Sequence, residues 1–170
     1  KKENPKLEKI HICYRYESII RTLIQQYKFS LRPYLGRTIA RLMWQQSLNF
    51  FAELPIETIM MPMPSGRLRM AKRGFNPAAI ITQHLSIRSD LTYCDNYLSK
   101  RAFSIPQTEL SREKRLHNLQ NSFFIRKRAP RLPNGSSILL IDDVLTTGRT
   151  FQQAIRKIDN SCTAQIFGLF

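Results

Sequence analysis

"ILLIDDVLTTGRT", Ile138 to Thr150, is the stretch on which the fold turns. Ile138 to Ile141 form a continuous apolar run, the signature of a strand buried on both faces rather than on one. Asp142 and Asp143 follow at once, and in an open parallel sheet the ground beyond the carboxyl ends of the strands is where ligands bind. They are the one adjacent acidic pair among 12 Asp plus Glu. Pressing two like charges together is costly unless a cation or several hydroxyl donors compensate. Thr146, Thr147 and Thr150 then supply hydroxyls, and Gly148 lets backbone approach closely. A helix starts just beyond, so unpaired N–H groups and the helix dipole make a phosphate cradle. A ligand that satisfies both halves carries a diol or a metal at one end and a phosphate at the other, as a ribose 5-phosphate does.

Three other readings share some of these letters. A nucleotidase of the P-loop kind needs Gly-x-x-x-x-Gly-Lys-Ser/Thr, and none of the six glycines precedes a lysine. A receiver domain needs its phosphate-accepting aspartate on a later strand, whereas only Asp159, in a helical stretch, remains. A strand end followed by a capped helix, with an incidental acidic pair, stays open as the bland alternative.

Outward from this stretch the chain alternates. Ile19, Ile20, Leu23, Ile24 and Tyr27 mark an amphipathic helix within residues 17–27, and Leu35, Ile39, Leu42, Met43 and Phe50 predict a second over about 34–51, ended by Pro55. "IETIMMPMP", from Ile56, reads as a short buried strand stopped by its prolines. "SGRLRMAKRGF" reads as a flexible, cationic loop. Asn76 is then a good N-cap, with Pro77 at the first position of a helix over 77–87. A strand is expected between Leu91 and Ala102, a charged segment with short helical character from Ser104 to Asn121, and a strand in "SFFIRKR". "APRLPNGSS" is a loop, followed by the strand at "ILLI", a helix over about 150–158 and a last strand, "AQIFGLF". Continuous apolar strands alternating with helices predict an α/β fold with a mostly parallel sheet flanked by helices. The two N-terminal helices fall outside the alternation and are expected to form a cap over one end of the sheet.

The 170 residues, 42% of them hydrophobic, suit one domain with an ordinary core. Cys13, Cys94 and Cys162 are far apart and form neither a zinc ribbon nor a disulfide framework. No run approaches the roughly 18–20 apolar residues of a spanning helix, and "KKENPKLEKI" is too polar for a secretory signal, so a soluble, cytoplasmic protein is expected. The loudest bulk feature is 27 Lys plus Arg, a formal charge of +15 that favours polyanionic partners.

Residues 138–150 resemble the 5-phosphoribosyl 1-pyrophosphate (PRPP) motif of type I phosphoribosyltransferases. More specifically, "YRYESIIRTLIQQYKF", "PMPSGRLRMAKRGFNPA", "PQTELSREKRLHNLQNSF" and that motif resemble, in order, segments of the ComF family of competence proteins. The resemblance implies a type I phosphoribosyltransferase fold in a single domain over 1–170, with 1–54 as a helical cap or hood. It implies that Asp142 and Asp143 are the catalytic pair, holding the ribose hydroxyls and approaching Mg2+. Val144, Thr146, Thr147, Gly148, Arg149 and Thr150 would wrap the 5-phosphate. Pro64, Ser65, Gly66 and Arg67 stand where that family carries its pyrophosphate loop, with Arg73 as a further contact, and arginine forks match pyrophosphate oxygens. Arg112 and Arg115, with Lys114, stand where such enzymes carry a closing lid. The four-cysteine zinc module common upstream of the Tyr-x-Tyr region in that family has no counterpart in this sequence.

The function implied is PRPP binding in the service of single-stranded transforming DNA, beside a helicase-like component of the uptake machinery and with contact at the inner membrane face. Phe75, Phe103 and Phe124 are candidate stacking aromatics. Two other functions remain open: a salvage enzyme joining PRPP to a nucleobase, and a non-catalytic scaffold sensing PRPP or a nucleotide.

Overall fold

A computed structural model describes residues 7–30, 32–101, 122–162 and 164–170. In chain order its strands are β1 (Leu7–His11), β2 (Ile59–Pro62), β3 (Thr92–Tyr93), β4 (Leu98–Lys100), β5 (Phe123–Ile125), β6 (Ser136–Ile141) and β7 (Ala164–Leu169). The described helices are α1 (Ser18–Phe29), α2 (Leu35–Gln46), α3 (Leu48–Ala52), α4 (Arg67–Arg73), α5 (Pro77–Ser89) and α6 (Arg149–Asp159). Five strands form a wholly parallel sheet in the order β1-β7-β6-β2-β3, while β4 and β5 make a separate antiparallel pair.

The apolar run of β6 is continuous because both sheet faces are covered. Leu139 and Ile141, with Met60 and Leu169, pack under α1, α2, α3 and α5 through Ile24, Tyr27, Ile39, Met43, Phe50, Ile81 and Leu85. Ile138 and Leu140, with Met61 and Ile166, pack on the other face against Phe151, Ala154, Ile155 and Ile158 of α6 and against Tyr97, Leu98 and Phe123. The N-terminal helices thus lie over one face of the sheet rather than over its end, because their apolar stripes pack on Leu139, Ile141 and Met60, and α1 ends beside the carboxyl edge. Gly36 makes that layer close-packed: a Cβ there would meet Ile80 Cγ2 at 2.5 Å and the Tyr27 hydroxyl at 2.8 Å.

Several expected elements change shape. The second helix is broken into α2 and α3 at Ser47, a fully buried serine whose hydroxyl donates to Met43 O at 2.7 Å and so competes with the backbone ladder. The cationic stretch expected as a loop forms α4, because Arg, Leu, Met, Ala and Lys are good helix formers, and Gly74 ends it at φ +78°. The single strand expected over 91–102 divides: β3 extends the main sheet, and Tyr97 and Leu98 turn into the opposite core. Strand β1 was not expected, since "LEKIH" is a mostly exposed sheet edge with no apolar periodicity to read. The segment expected to be helical after Thr108 lies outside the described residues.

Candidate functional site

Strands β2 and β6 run side by side to a common end, where Met63 N donates to Ile141 O at 2.8 Å and Asp142 N to Leu169 O at 3.1 Å. Beyond that end opens a cleft of about 860 Å3. Pro64, Ser65, Gly66, Arg73, Asp142, Asp143, Val144, Thr146, Gly148 and Thr150 all line it. Arg67, Thr147 and Arg149 are not among its lining residues, and Arg112 and Arg115 lie outside the described residues.

At the acidic end, Asp143 Oδ1 lies 2.8 Å from the ammonium of Lys28, and the two side chains are only 7% and 19% exposed. Asp143 Oδ2 is buried and finds no hydrogen-bond partner among the described residues. Asp142 Oδ1 accepts from the Asp143 backbone N–H at 2.9 Å. Burial first, then the charge of Asp143 and a hydrogen bond with it, push the Asp142 carboxyl up to about 8; the Asp143 N–H and Lys28 pull the other way. Burial and then Arg69 push the Lys100 ammonium below its ordinary value, against a pull from Asp142.

At the other end, the chain enters α6 through Gly148 at φ +69°. A Cβ there would meet nothing nearer than Leu145 Cδ1 at 4.0 Å, so it is the left-handed backbone, not space, that calls for glycine. The first-turn N–H groups of a helix have no partner within it, and the dipole adds positive potential at that end. On the facing wall Asn76 stands at the N-cap position of α5, as expected, but its side chain is used elsewhere: its Nδ2 donates to Met63 O at 3.0 Å and its Oδ1 accepts from Ser65 Oγ at 2.9 Å. The amide therefore ties the loop after β2 to the start of α5.

Among the described residues five cationic side chains, Lys28, Arg69, Lys72, Arg73 and Lys100, line the cleft against two carboxylates. An anionic ligand with a neutral or cation-linked diol end matches this distribution. Lys28, Lys100 and the rim aromatics Tyr16 and Phe29 are not legible as site residues from sequence, for no spacing rule joins them to Asp143. Arg69 and Lys72 are visible there only as part of a cationic loop. No group of three or more His, Cys, Asp or Glu among the described residues could hold a metal ion. The acidic pair fits only a cation that brings most of its own ligands, as hydrated magnesium on a phosphorylated ligand does.

Residues 70–166 match the family model described as the phosphoribosyl transferase domain. The chain belongs to that family. Asp142, Asp143 and the turn through Thr150 lie inside the matched stretch of this phosphoribosyltransferase-family protein, and Lys28 lies ahead of it. The chain is 29% identical over 173 residues to Competence protein F of Haemophilus influenzae, covering 99% of this chain and 75% of that one. It is thus a ComF-type member of the phosphoribosyltransferase superfamily. Among solved structures, adenine phosphoribosyltransferase of Saccharomyces cerevisiae, in complex with an imino-altritol bisphosphate and adenine, aligns at a TM-score of 0.45 and 17% identity, over 81% of this chain and 70% of that one. No helix among the described residues is long and apolar enough to cross a membrane.

Proposed function

We propose that the cleft binds PRPP and that the protein assists the passage of single-stranded transforming DNA into the cytoplasm during natural transformation. The observation that carries the ligand half is the buried Asp143 Oδ2, without a hydrogen-bond partner among the described residues, set beside Asp142 in one cleft with the amino end of α6 and the cations Lys28, Arg69, Lys72, Arg73 and Lys100. In this reading the acidic pair accepts the ribose hydroxyls, and Thr146 to Thr150 with the first turn of α6 hold the 5-phosphate. Pro64 to Gly66, with Arg69, Lys72 and Arg73, meet the pyrophosphate, where guanidinium forks suit paired oxygens. Arg67, Arg112 and Arg115 remain candidates for the outer part of that contact. Magnesium, when bound, supplies charge neutralisation on the pyrophosphate. If the phosphoribosyl group is transferred, a nucleophilic atom of the acceptor bonds to C1 as the C1–O bond breaks and pyrophosphate leaves with its electron pair, while this chain positions the groups and balances the developing charge.

The DNA half is supported by the name of the Haemophilus relative and by the formal charge of +15. A helicase-like partner and contact with the inner membrane face belong to the same proposal. Calorimetric titration of PRPP with magnesium tests the ligand half: the parent binds, and an Asp142→Ala, Asp143→Ala double variant does not. Equal binding by both, or none by the parent, removes it. Titration of single-stranded DNA with and without PRPP then tests whether the two activities are joined, and turnover with any common nucleobase would move the reading to salvage.

A further inference from the structure

The N-terminal segment "YRYESIIRTLIQQYKF" supplies a cation to the acidic pair, a role that lies outside the stretch matched by the family model. Lys28 does not behave as a loose surface amine. Its neighbour Tyr27 is wholly buried, donates its hydroxyl to Pro77 O at 2.8 Å, and is wedged against Gly36. Its other neighbour, Phe29, lies under the Arg73 guanidinium at 5.5 Å. Residue 28 is therefore held from one side by Tyr27, whose side chain is fixed to the start of α5, while the exposed Phe29 on its other side meets the end of α4 through the Arg73 guanidinium; both helices are walls of the cleft. From there its ammonium meets Asp143 Oδ1 at 2.8 Å with little exposure on either side.

The two oxygens of one carboxylate are consequently unequal. Oδ1 is held by a cation, while the buried Oδ2 has no hydrogen-bond partner among the described residues. A buried acceptor left unmade is costly, so a hydroxyl donor reaching it is favoured. A divalent cation, by contrast, would have to displace the ammonium or sit beside it against charge repulsion.

We propose that Lys28 is a binding residue of the cleft: its ammonium is the standing counter-charge of the acidic pair, and lets that pair accept ribose hydroxyls with no divalent cation bound. This rests on the reading of the cleft as a phosphoribosyl site. Magnesium is then needed at the pyrophosphate end alone, and a ligand without pyrophosphate binds independently of metal.

Ribose 5-phosphate is the discriminating probe, titrated by calorimetry into the full chain in EDTA and in excess magnesium. The parent binds in both, with affinities within about threefold of each other. Lys28→Met weakens binding in EDTA by roughly tenfold or more, the scale of a hydrogen bond to a charged group, and magnesium restores it to within about threefold because the vacated place now admits a cation. Lys28→Arg stays near the parent, and thermal melting shows that each variant is folded. A parent that needs magnesium for ribose 5-phosphate, a Lys28→Met variant unchanged in EDTA, or a loss that magnesium does not restore would overturn the assignment. If PRPP with magnesium binds while ribose 5-phosphate in EDTA does not, this inference fails alone. If neither binds, the phosphoribosyl reading fails and takes it along.

Discussion

Asp142→Asn is expected to stabilise the ligand-free protein at alkaline pH while damaging its site. The Asp142 carboxyl moves from 3.8 in an open chain to about 8 in the folded one, mainly through burial and the adjacent Asp143. Between those values the folded state holds a proton that the unfolded state has lost, so stability falls as pH rises through the window. Each tenfold change in proton affinity corresponds to about 1.4 kcal/mol, which sets a ceiling of roughly 5 kcal/mol near pH 8. The carboxyl keeps some contact with water, which lowers the expected gain to about 1–3 kcal/mol. Asparagine has the same shape and its carbonyl oxygen can still accept from the Asp143 N–H, so the local turn survives. Urea denaturation at pH 5, 7 and 9 reads the effect. The variant gains on the parent as pH rises, ends ahead by that amount at pH 9, and melts roughly 2–10 °C higher there. A variant equal to or less stable than the parent at pH 9, or two parallel pH profiles, would refute the reasoning.

Gly36→Ala places a methyl 2.5 Å from Ile80 Cγ2 and 2.8 Å from the Tyr27 hydroxyl, and overpacking of about 1–3 kcal/mol outweighs a gain in helix propensity of up to about 1 kcal/mol. Chemical denaturation should show net destabilisation, and ligand affinity should fall with it because Tyr27 adjoins Lys28. Gly148→Ala meets no steric obstacle but must adopt φ +69°, a strain of about 1–2 kcal/mol, so it should weaken ribose 5-phosphate binding more than it lowers the melting temperature. Unchanged affinity would detach the turn from the phosphate. Single-stranded DNA binding should weaken steeply with salt, and Arg69→Ala with Lys72→Ala should flatten that slope by roughly 1 to 2 units of log K against log salt. A slope indifferent to both salt and these residues would count against an electrostatic DNA surface at the cleft.

What the sequence disclosed follows the physics of each element. Residues 138–141 were legible because a strand covered on both faces must be apolar throughout, and the place of Asp142 and Asp143 in the cleft because they follow that run at the carboxyl end of a parallel strand. Gly148 was legible as a turn, and Pro77 as a helix start. Strand β1 was not, for an exposed edge needs backbone partners rather than apolar side chains, and its partner β7 lies far along the chain. The break at Ser47 was hidden because a serine inside an apolar periodicity differs from an ordinary helical residue only through the bond its hydroxyl makes to Met43. Helix α4 was hidden because its charges resemble a loop until Gly74 supplies the left-handed stop. Lys28 was the least visible of all: its meaning comes from an aspartate distant in sequence, and only the packing of Tyr27 against α5 brings the two together.

The most direct test of the central claim is a crystal structure of the protein with PRPP and magnesium. The account predicts ribose hydroxyls on Asp142 and Asp143 Oδ2, the 5-phosphate at the amino end of α6 between Thr146 and Thr150, and pyrophosphate beside Ser65, Gly66 and Arg73, with Lys28 still on Asp143 Oδ1. PRPP bound away from this cleft, or bound in it with the acidic pair untouched, would contradict it.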